Sequence, residues 1–432
     1  MAKHRLIIVN PGHFHAALTL RARNPRIEED VRIFSDDGPD LDNFLRLVHA
    51  FNERPSDPTH WTMYVHRGAD YPERLAATRP GDVAILAGKN NQKLPLIRFL
   101  KRLGIAVLAD KPWIIEPSQA DALADLLDPV TPCMDIMTER HEIANRLQRA
   151  FACNARVFGS FIEEGSRPAI SMRSVHHLYK NVNGRPLRRP AWYFDTAVQG
   201  EGMTDVTTHL VDLVQWMLPD AGPFDMARDV RDLAARQWPT VVPRDIYARI
   251  TGLEDFPEQV RAHVQADALH YPCNAAIHYR LRGISVQIEA LWNLTEPEGS
   301  GDLHHAELRG SRCTLIVDQG PATSFRTELT LLPAAPGAEF ARDLEEAVAG
   351  MQAEFPGIGI EPVGDGYRVR IPPGLRTTHE QHFSAVLDEF LLALENGGPS
   401  AAALADIACK YSLLAAALAL CRKAGVAALP TS

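Results

Sequence analysis

Hydrophobic positions in the first third of the chain come in short blocks separated by helical periodicity. Arg5–Asn10, Val31–Ser35, Thr62–Val65, Asp82–Leu86, Ile105–Ala109 and Cys133–Met137 read as strands. Their compact apolar runs suit strands covered on both faces. Between them, Ala16–Arg23, Leu41–Phe51, Lys93–Leu103 and Ser118–Leu127 carry apolar residues at helical spacing. Strands alternating with helices predict a parallel, doubly wound α/β sheet.

Beyond about Glu139 the texture changes. Val157–Ile162, Ala169–His176, Ala275–Leu281, Ile284–Trp292, Leu303–Arg309, Cys313–Val317 and Arg326–Leu332 are strand candidates. Several alternate apolar with polar residues, as half-exposed antiparallel strands do. Helices are expected at Gly202–Leu218, Glu339–Gln352, Thr378–Asn396 and Ala401–Ala424. The expected organisation is a nucleotide-type domain over residues 1–138, then an α+β domain over 139–432 with an open, largely antiparallel sheet and terminal helices.

Composition narrows the class. The 432 residues are 46% hydrophobic and 23% charged, ordinary values for a globular chain. The net charge of −9 is spread through the sequence, without the basic run that marks a nucleic-acid surface. Leu6–Val9 is too short for a signal-peptide core, and the apolar run Leu413–Cys421 falls well short of the roughly 18 residues of a membrane helix. Six scattered cysteines without C-x-x-C read as reduced thiols. A cytoplasmic protein with no nucleic-acid or membrane partner is expected.

An open parallel sheet takes its ligand at the carboxyl ends of its strands. The first such end is Asn10-Pro11-Gly12-His13-Phe14-His15, where a dinucleotide-binding sequence would show G-x-G-x-x-G; only the middle glycine is present. The second carries Asp36, 24 residues after Gly12, near the offset of the acid that binds an adenosine ribose. An acid there favours NAD over NADP. Asn90 follows the fourth strand. Lys111-Pro112 closes the fifth, placing a cation that could polarise a hydroxyl or stabilise its alkoxide. Each also has a plain reading, as a turn acid or a solvated lysine.

In Gly202–Leu218, Asp205, His209 and Asp212 fall at i, i+4 and i+7, one face of a single helix with an apolar stripe beside it. Gly200-Glu201-Gly202 gives a flexible entry and Pro219 a stop. A carboxylate one turn before an imidazole can hold it for proton transfer; the alternative is a solvent-facing helix whose charges merely pair.

Together these pieces resemble the Gfo/Idh/MocA family of NAD(P)-dependent oxidoreductases. Asp110-Lys111-Pro112 looks like the family's E-K-P with Asp for Glu, and G-E-G-M-T-D-V-T-T-H-L-V-D matches its Gly-rich entry followed by D-x-x-x-H-x-x-D. Leu303–Gly320 is similar to a hairpin in its second-domain sheet. The resemblance implies a Rossmann domain holding NAD through Gly12, His13, Phe14, Asp36, Asn90, Lys111 and Pro112, and a second domain whose sheet builds a homodimer or homotetramer. It also implies catalytic roles for Lys111, Asp205 and His209, which touch a carbohydrate-like substrate.

Arg140, His177, Tyr179, Lys180 and Asn181 are further substrate candidates, each equally readable as surface polarity. No metal is expected: His379-Glu380-Gln381-His382 spaces its histidines at i, i+3, short of H-E-x-x-H, and reads as a helix start. Three functions remain open. They are net oxidation of a sugar or polyol, redox-neutral elimination, epimerisation or glycoside cleavage with NAD recycled, and non-enzymatic ligand sensing.

Overall fold

The computed structural model describes residues 3–127, 129–182, 185–218, 222–297 and 301–424. In chain order the elements are β1 Leu6–Val9, α1 His15–Leu18, β2 Asp30–Ser35, α2 Pro39–Glu53, β3 Thr62–Arg67, α3 Tyr71–Thr78, β4 Val83–Leu86, α4 Lys93–Arg102, β5 Ala106–Asp110, α5 Asp121–Ala124, β6 Cys133–Ile136 and α6 Ile143–Ala152. There follow β7 Ile170–Tyr179, the short β8 Asn181–Val182 and β9 Arg185–Pro186, α7 Thr196–Gln199, α8 Thr207–Met217, α9 Met226–Asp229, β10 Val230–Pro243 and α10 Arg244–Thr251. The chain ends with β11 Val264–Gln265, β12 Ala268–Leu281, β13 Ile284–Thr295, β14 Leu303–Arg309, β15 Cys313–Gln319, β16 Glu328–Pro333, α11 Ala338–Gly350, β17 Gly359–Val363, β18 Gly366–Arg370, α12 His379–Glu395 and α13 Ala401–Ala424.

Two compact units result, Met1–His141 with Thr378–Ser412, and Glu142–Thr377 with Leu413–Ser432. In the first, six parallel strands run in the order β3-β2-β1-β4-β5-β6. The order reverses between β1 and β4, so the carboxyl ends of those two strands flank the crevice of a Rossmann-type sheet. The strands β1, β4 and β5 are buried throughout, which explains their continuous apolar runs.

Residues 378–412 join this unit, whereas the sequence expectation carried the second domain to the C-terminus. The reason is a core contact: Phe383, Val386, Leu387, Phe390 and Leu391 of α12 belong to the same buried cluster as Leu6, Ile8, Ile33 and Leu108.

The second unit is built on a ten-stranded sheet with the path β10-β12-β13-β7-β14-β15-β16-β18-β17, and β11 paired to β12. All pairs are antiparallel except β13 with β7. Three sequence expectations need correction here. Val157–Ile162 is not a strand but turns with one isolated bridge, Phe161 to Gly310. The helix expected at Ala16–Arg23 is a single turn, His15–Leu18. The third is α13, which is long and apolar enough to cross a membrane, contrary to the reading of Leu413–Cys421. However, 61% of its apolar window is buried in the protein, and it carries Lys410, fully buried and 2.7 Å from Asp135.

Candidate active site

The turn after β1 is closed by its own backbone. Gly12 and His13 both donate their N–H groups to the Ala87 carbonyl at the end of β4, at 3.1 and 2.9 Å. Gly88 makes that approach possible, since a Cβ there would lie 2.3 Å from the Asn10 carbonyl oxygen. Asn10 takes a left-handed φ of 43°, which asparagine tolerates better than most residues. Its side chain donates to Gln92 Oε1 at 2.8 Å and, more weakly, to Asp36 at 3.4 Å. Donors that a glycine-rich turn would offer a diphosphate are therefore used internally, and side chains line this strand end instead.

Asp36 is exposed just beyond β2. Its neighbour Asp37, with Asp42, holds Arg67, each at 2.8 Å. Asn90 is buried in the turn after β4, and Lys111 is half-buried just past β5, its N–H donating to its neighbour's Oδ1 (Asp110) at 3.0 Å. Trp113 is fully buried, bonded to the Ala109 carbonyl and stacked on Tyr411. Arg140 sits in the short 3-10 turn Thr138–His141, half-buried.

Asp110 gathers the charges at this end of the sheet. His15 Nδ1 lies 2.8 Å and His13 Nδ1 4.0 Å from its Oδ2. Burial opposes ionisation of Asp110, but His15, Lys93 and His13 outweigh it and hold the carboxyl well below the usual carboxylate range. Burial lowers the His15 pKa despite the pull of Asp110, and lowers that of Lys93 to about 8.

In the second unit the D-x-x-x-H segment is not one continuous helix. Gly202–Thr204 forms a 3-10 turn, Asp205 follows it with φ −84° and ψ −99°, and α8 starts at Thr207. Asp205 thus precedes the helix and His209 lies in its first turn, so the i, i+4 face is formed across a helix start. The entry is not flexible either: a Cβ on Gly202 would lie 2.0 Å from the Cys273 carbonyl oxygen of β12. The solvent-facing alternative is excluded, since α8 is buried along its length apart from the half-buried His209 and Trp216. Asp205 and Asp212 are both buried. Trp216 packs under Arg149 of α6, which donates to its carbonyl at 2.7 Å.

Asp302, not anticipated from sequence, gathers two of the expected substrate residues, His177 and Lys180, at the end of β7. Asp302 accepts from Lys180 Nζ at 2.7 Å and His176 Nδ1 at 3.1 Å, and its Oδ1 is 3.5 Å from Nδ1 of the buried His177. Although burial works against it, His176, His177 and Lys180 hold the Asp302 carboxyl far below the usual range. Burial pushes the Tyr193 phenol up, and both Asp205 and Asp302 add to that rise. One tyrosine thus feels both carboxylates. Asp302 lies in a loop, where neither spacing nor periodicity signals it. Tyr179 is engaged by Arg249, while Pro219 and the Asn181 side chain fall outside the described residues.

The sheet order and the buried helix α8 define a dinucleotide-type α/β unit and an open-sheet α+β unit. Residues 147–422 match the family described as "Putative oxidoreductase C terminal domain". A "putative oxidoreductase" from Parabacteroides merdae is 35% identical over 98% of both chains, with a TM-score of 0.93. The chain belongs to this oxidoreductase family, of the Gfo/Idh/MocA type, and is an enzyme. More distant structures share the fold. Levoglucosan dehydrogenase, solved with NADH and levoglucosan, has a TM-score of 0.59 at 12% identity, covering 97% of this chain and 98% of that one. An oxidoreductase from Agrobacterium radiobacter, solved with NAD+, L-tartaric acid and magnesium, has 0.56 at 15% identity over 98% of both. No curated protein matches the sequence.

Proposed function

We propose that this enzyme is an NAD-dependent dehydrogenase acting on a secondary alcohol of a sugar, polyol or related compound. The observation that carries the reading is His209, a half-buried imidazole in the first turn of a helix buried elsewhere except at Trp216, with a buried carboxylate just before it. His209 takes the hydroxyl proton, Asp205 orients it, and Lys111 stabilises the alkoxide oxygen. Bound NAD supplies the hydride acceptor. Gly12, His13, Phe14, Asp36, Asn90, Lys111 and Pro112 hold it, with Asp36 on the adenosine ribose. NAD is favoured over NADP because the nearby Arg67 is already held by Asp37 and Asp42 and is not offered to a 2′-phosphate. Arg140 and His177 contribute to substrate binding. The described cysteines form no disulfide, which suits a reducing cytoplasm. Assembly into a dimer or tetramer through the second-unit sheet belongs to the same reading.

Calorimetric titration with NAD and NADP tests the cofactor. NAD should bind, and Asp36→Ala should weaken it by about 1–3 kcal/mol, the range of a lost hydrogen bond to a charged group. His209→Ala should bind NAD normally and lose turnover by about 100-fold or more. A folded protein that binds neither nucleotide would refute the reading.

The Asp302 group favours a second reading, in which oxidation is transient and NAD is recycled. Its lysine and histidines add proton-transfer capacity beyond what a simple dehydrogenase uses. NADH release during turnover decides between the two.

A further inference from the structure

The His13–His15–Asp110 group has a geometry that cofactor binding does not require. Among the described residues, His13, His15 and Asp110 each offer one ligand atom, and these atoms all lie within 4.8 Å of one another. Two of the separations are 2.8 and 4.0 Å, both to Asp110 Oδ2. Donors bound to one first-row cation at about 2.0–2.2 Å stand roughly 3–3.5 Å apart. Small side-chain adjustments would therefore bring all three onto one ion.

The scaffold holds them there. His13 sits in the turn pinned to Ala87, and His15 opens α1 with its ring against Phe383, centroids 4.4 Å apart. The two imidazoles meet edge to face at 3.9 Å. Asp110 ends β5, whose register with β4 and β6 fixes it. His13 and His15 are half-buried and Asp110 is buried, so the group is reachable from one side.

We propose that His13, His15 and Asp110 form a binding site for a divalent first-row transition cation. Two imidazoles and one carboxylate suit Zn2+, Fe2+, Mn2+ or Co2+ better than Mg2+ or Ca2+, which prefer all-oxygen shells. Three protein ligands leave coordination positions for water or an anionic ligand, as in open rather than structural sites. Lys93, whose Nζ donates to the Asp110 carbonyl at 3.0 Å, and Lys111 are the nearby cations, and His379 also faces His15. Their charge opposes a dication, so weaker binding than at a structural site is expected and chelation should remove the metal. The His15 N–H also approaches His13 Nδ1, at 3.4 Å, a weak contact that a metal would displace.

The test is titration of chelator-treated full-length protein with Co2+, read by visible absorption, with Zn2+ as competitor. One equivalent of Co2+ should bind, and Zn2+ should displace it. His13→Gln and His15→Gln should each weaken binding at least tenfold, while His379→Gln, outside the donor set, should leave it unchanged. His15 also packs against Phe383, so thermal unfolding checks that both variants remain folded. Absence of a Co2+ spectrum with folded protein, or undiminished binding in either His13→Gln or His15→Gln, would overturn the site.

Discussion

Gly202 has no room for a side chain. Its Cα faces the backbone of β12, and an added Cβ would meet the Cys273 carbonyl carbon at 2.2 Å as well as its oxygen. The neighbour is backbone in a central strand, so it cannot rotate away. Gly202→Ala should therefore destabilise the protein by about 3 kcal/mol, at the upper end of overpacking costs. It should also lower turnover, because the displaced turn carries Asp205 and His209. Chemical denaturation and steady-state rates on the same variant check both. Glycine identity was legible in the sequence, but not its reason: a close approach depends on a strand 71 residues further along the chain, and nothing local encodes it.

At the level of elements, periodicity located the parallel sheet well because β1, β4 and β5 are buried throughout and leave unbroken apolar runs, while the largely exposed edge strand β3 shows only a short β-prone stretch. It missed β10, whose Val230–Pro243 pattern is irregular. This is the edge strand of its sheet, with register shifts between Arg231 and Ala234 and between Trp238 and Thr240, and each shift breaks the apolar–polar alternation. The helix α6 also went unread, although Ile143, Leu147 and Phe151 are all buried at four-residue spacing. The site divided in the same way. Lys111, Asp205 and His209 stand in contiguous motifs, whereas Asp302 and the union of His13 and His15 with Asp110 arise only from folding. The helix α12 yields a sharper test of which core it serves. Phe390 is fully buried among residues of the first unit, so Phe390→Ala should cost about 3–5 kcal/mol. Loss of NAD affinity in step with that destabilisation, measured by calorimetry at rising temperature, would show that α12 supports the nucleotide-binding unit.

For the whole molecule, the ionisable groups predict a one-sided pH response. Burial lowers the pKa of His304 to about 4, with His305 and His176 adding to it, and that of His382 to about 3, with His379 and His141 adding. These imidazoles stay neutral in the folded chain while the unfolded chain takes up protons below about pH 6.5, so their contribution is present above that pH and is lost as pH falls. Asp110 and Asp302, depressed by their histidine and lysine partners, add a second loss below about pH 4. Urea midpoints should be flat near neutrality, decline from about pH 6.5, and fall steeply below about pH 4. His304→Gln should reduce the first decline, leaving the share due to His382, and leave the second unchanged.

The interrupted first unit also governs the order in which the protein can mature. Its sheet is complete once residue 141 has been made, yet the aromatic and aliphatic cover from α12 arrives roughly 240 residues later. At the usual pace of translation, that interval is on the order of tens of seconds. During it the nascent sheet has a greasy flank open to any passing hydrophobic segment. The nucleotide-type half, made ahead of the second unit, is thus among the last parts of the chain to be finished.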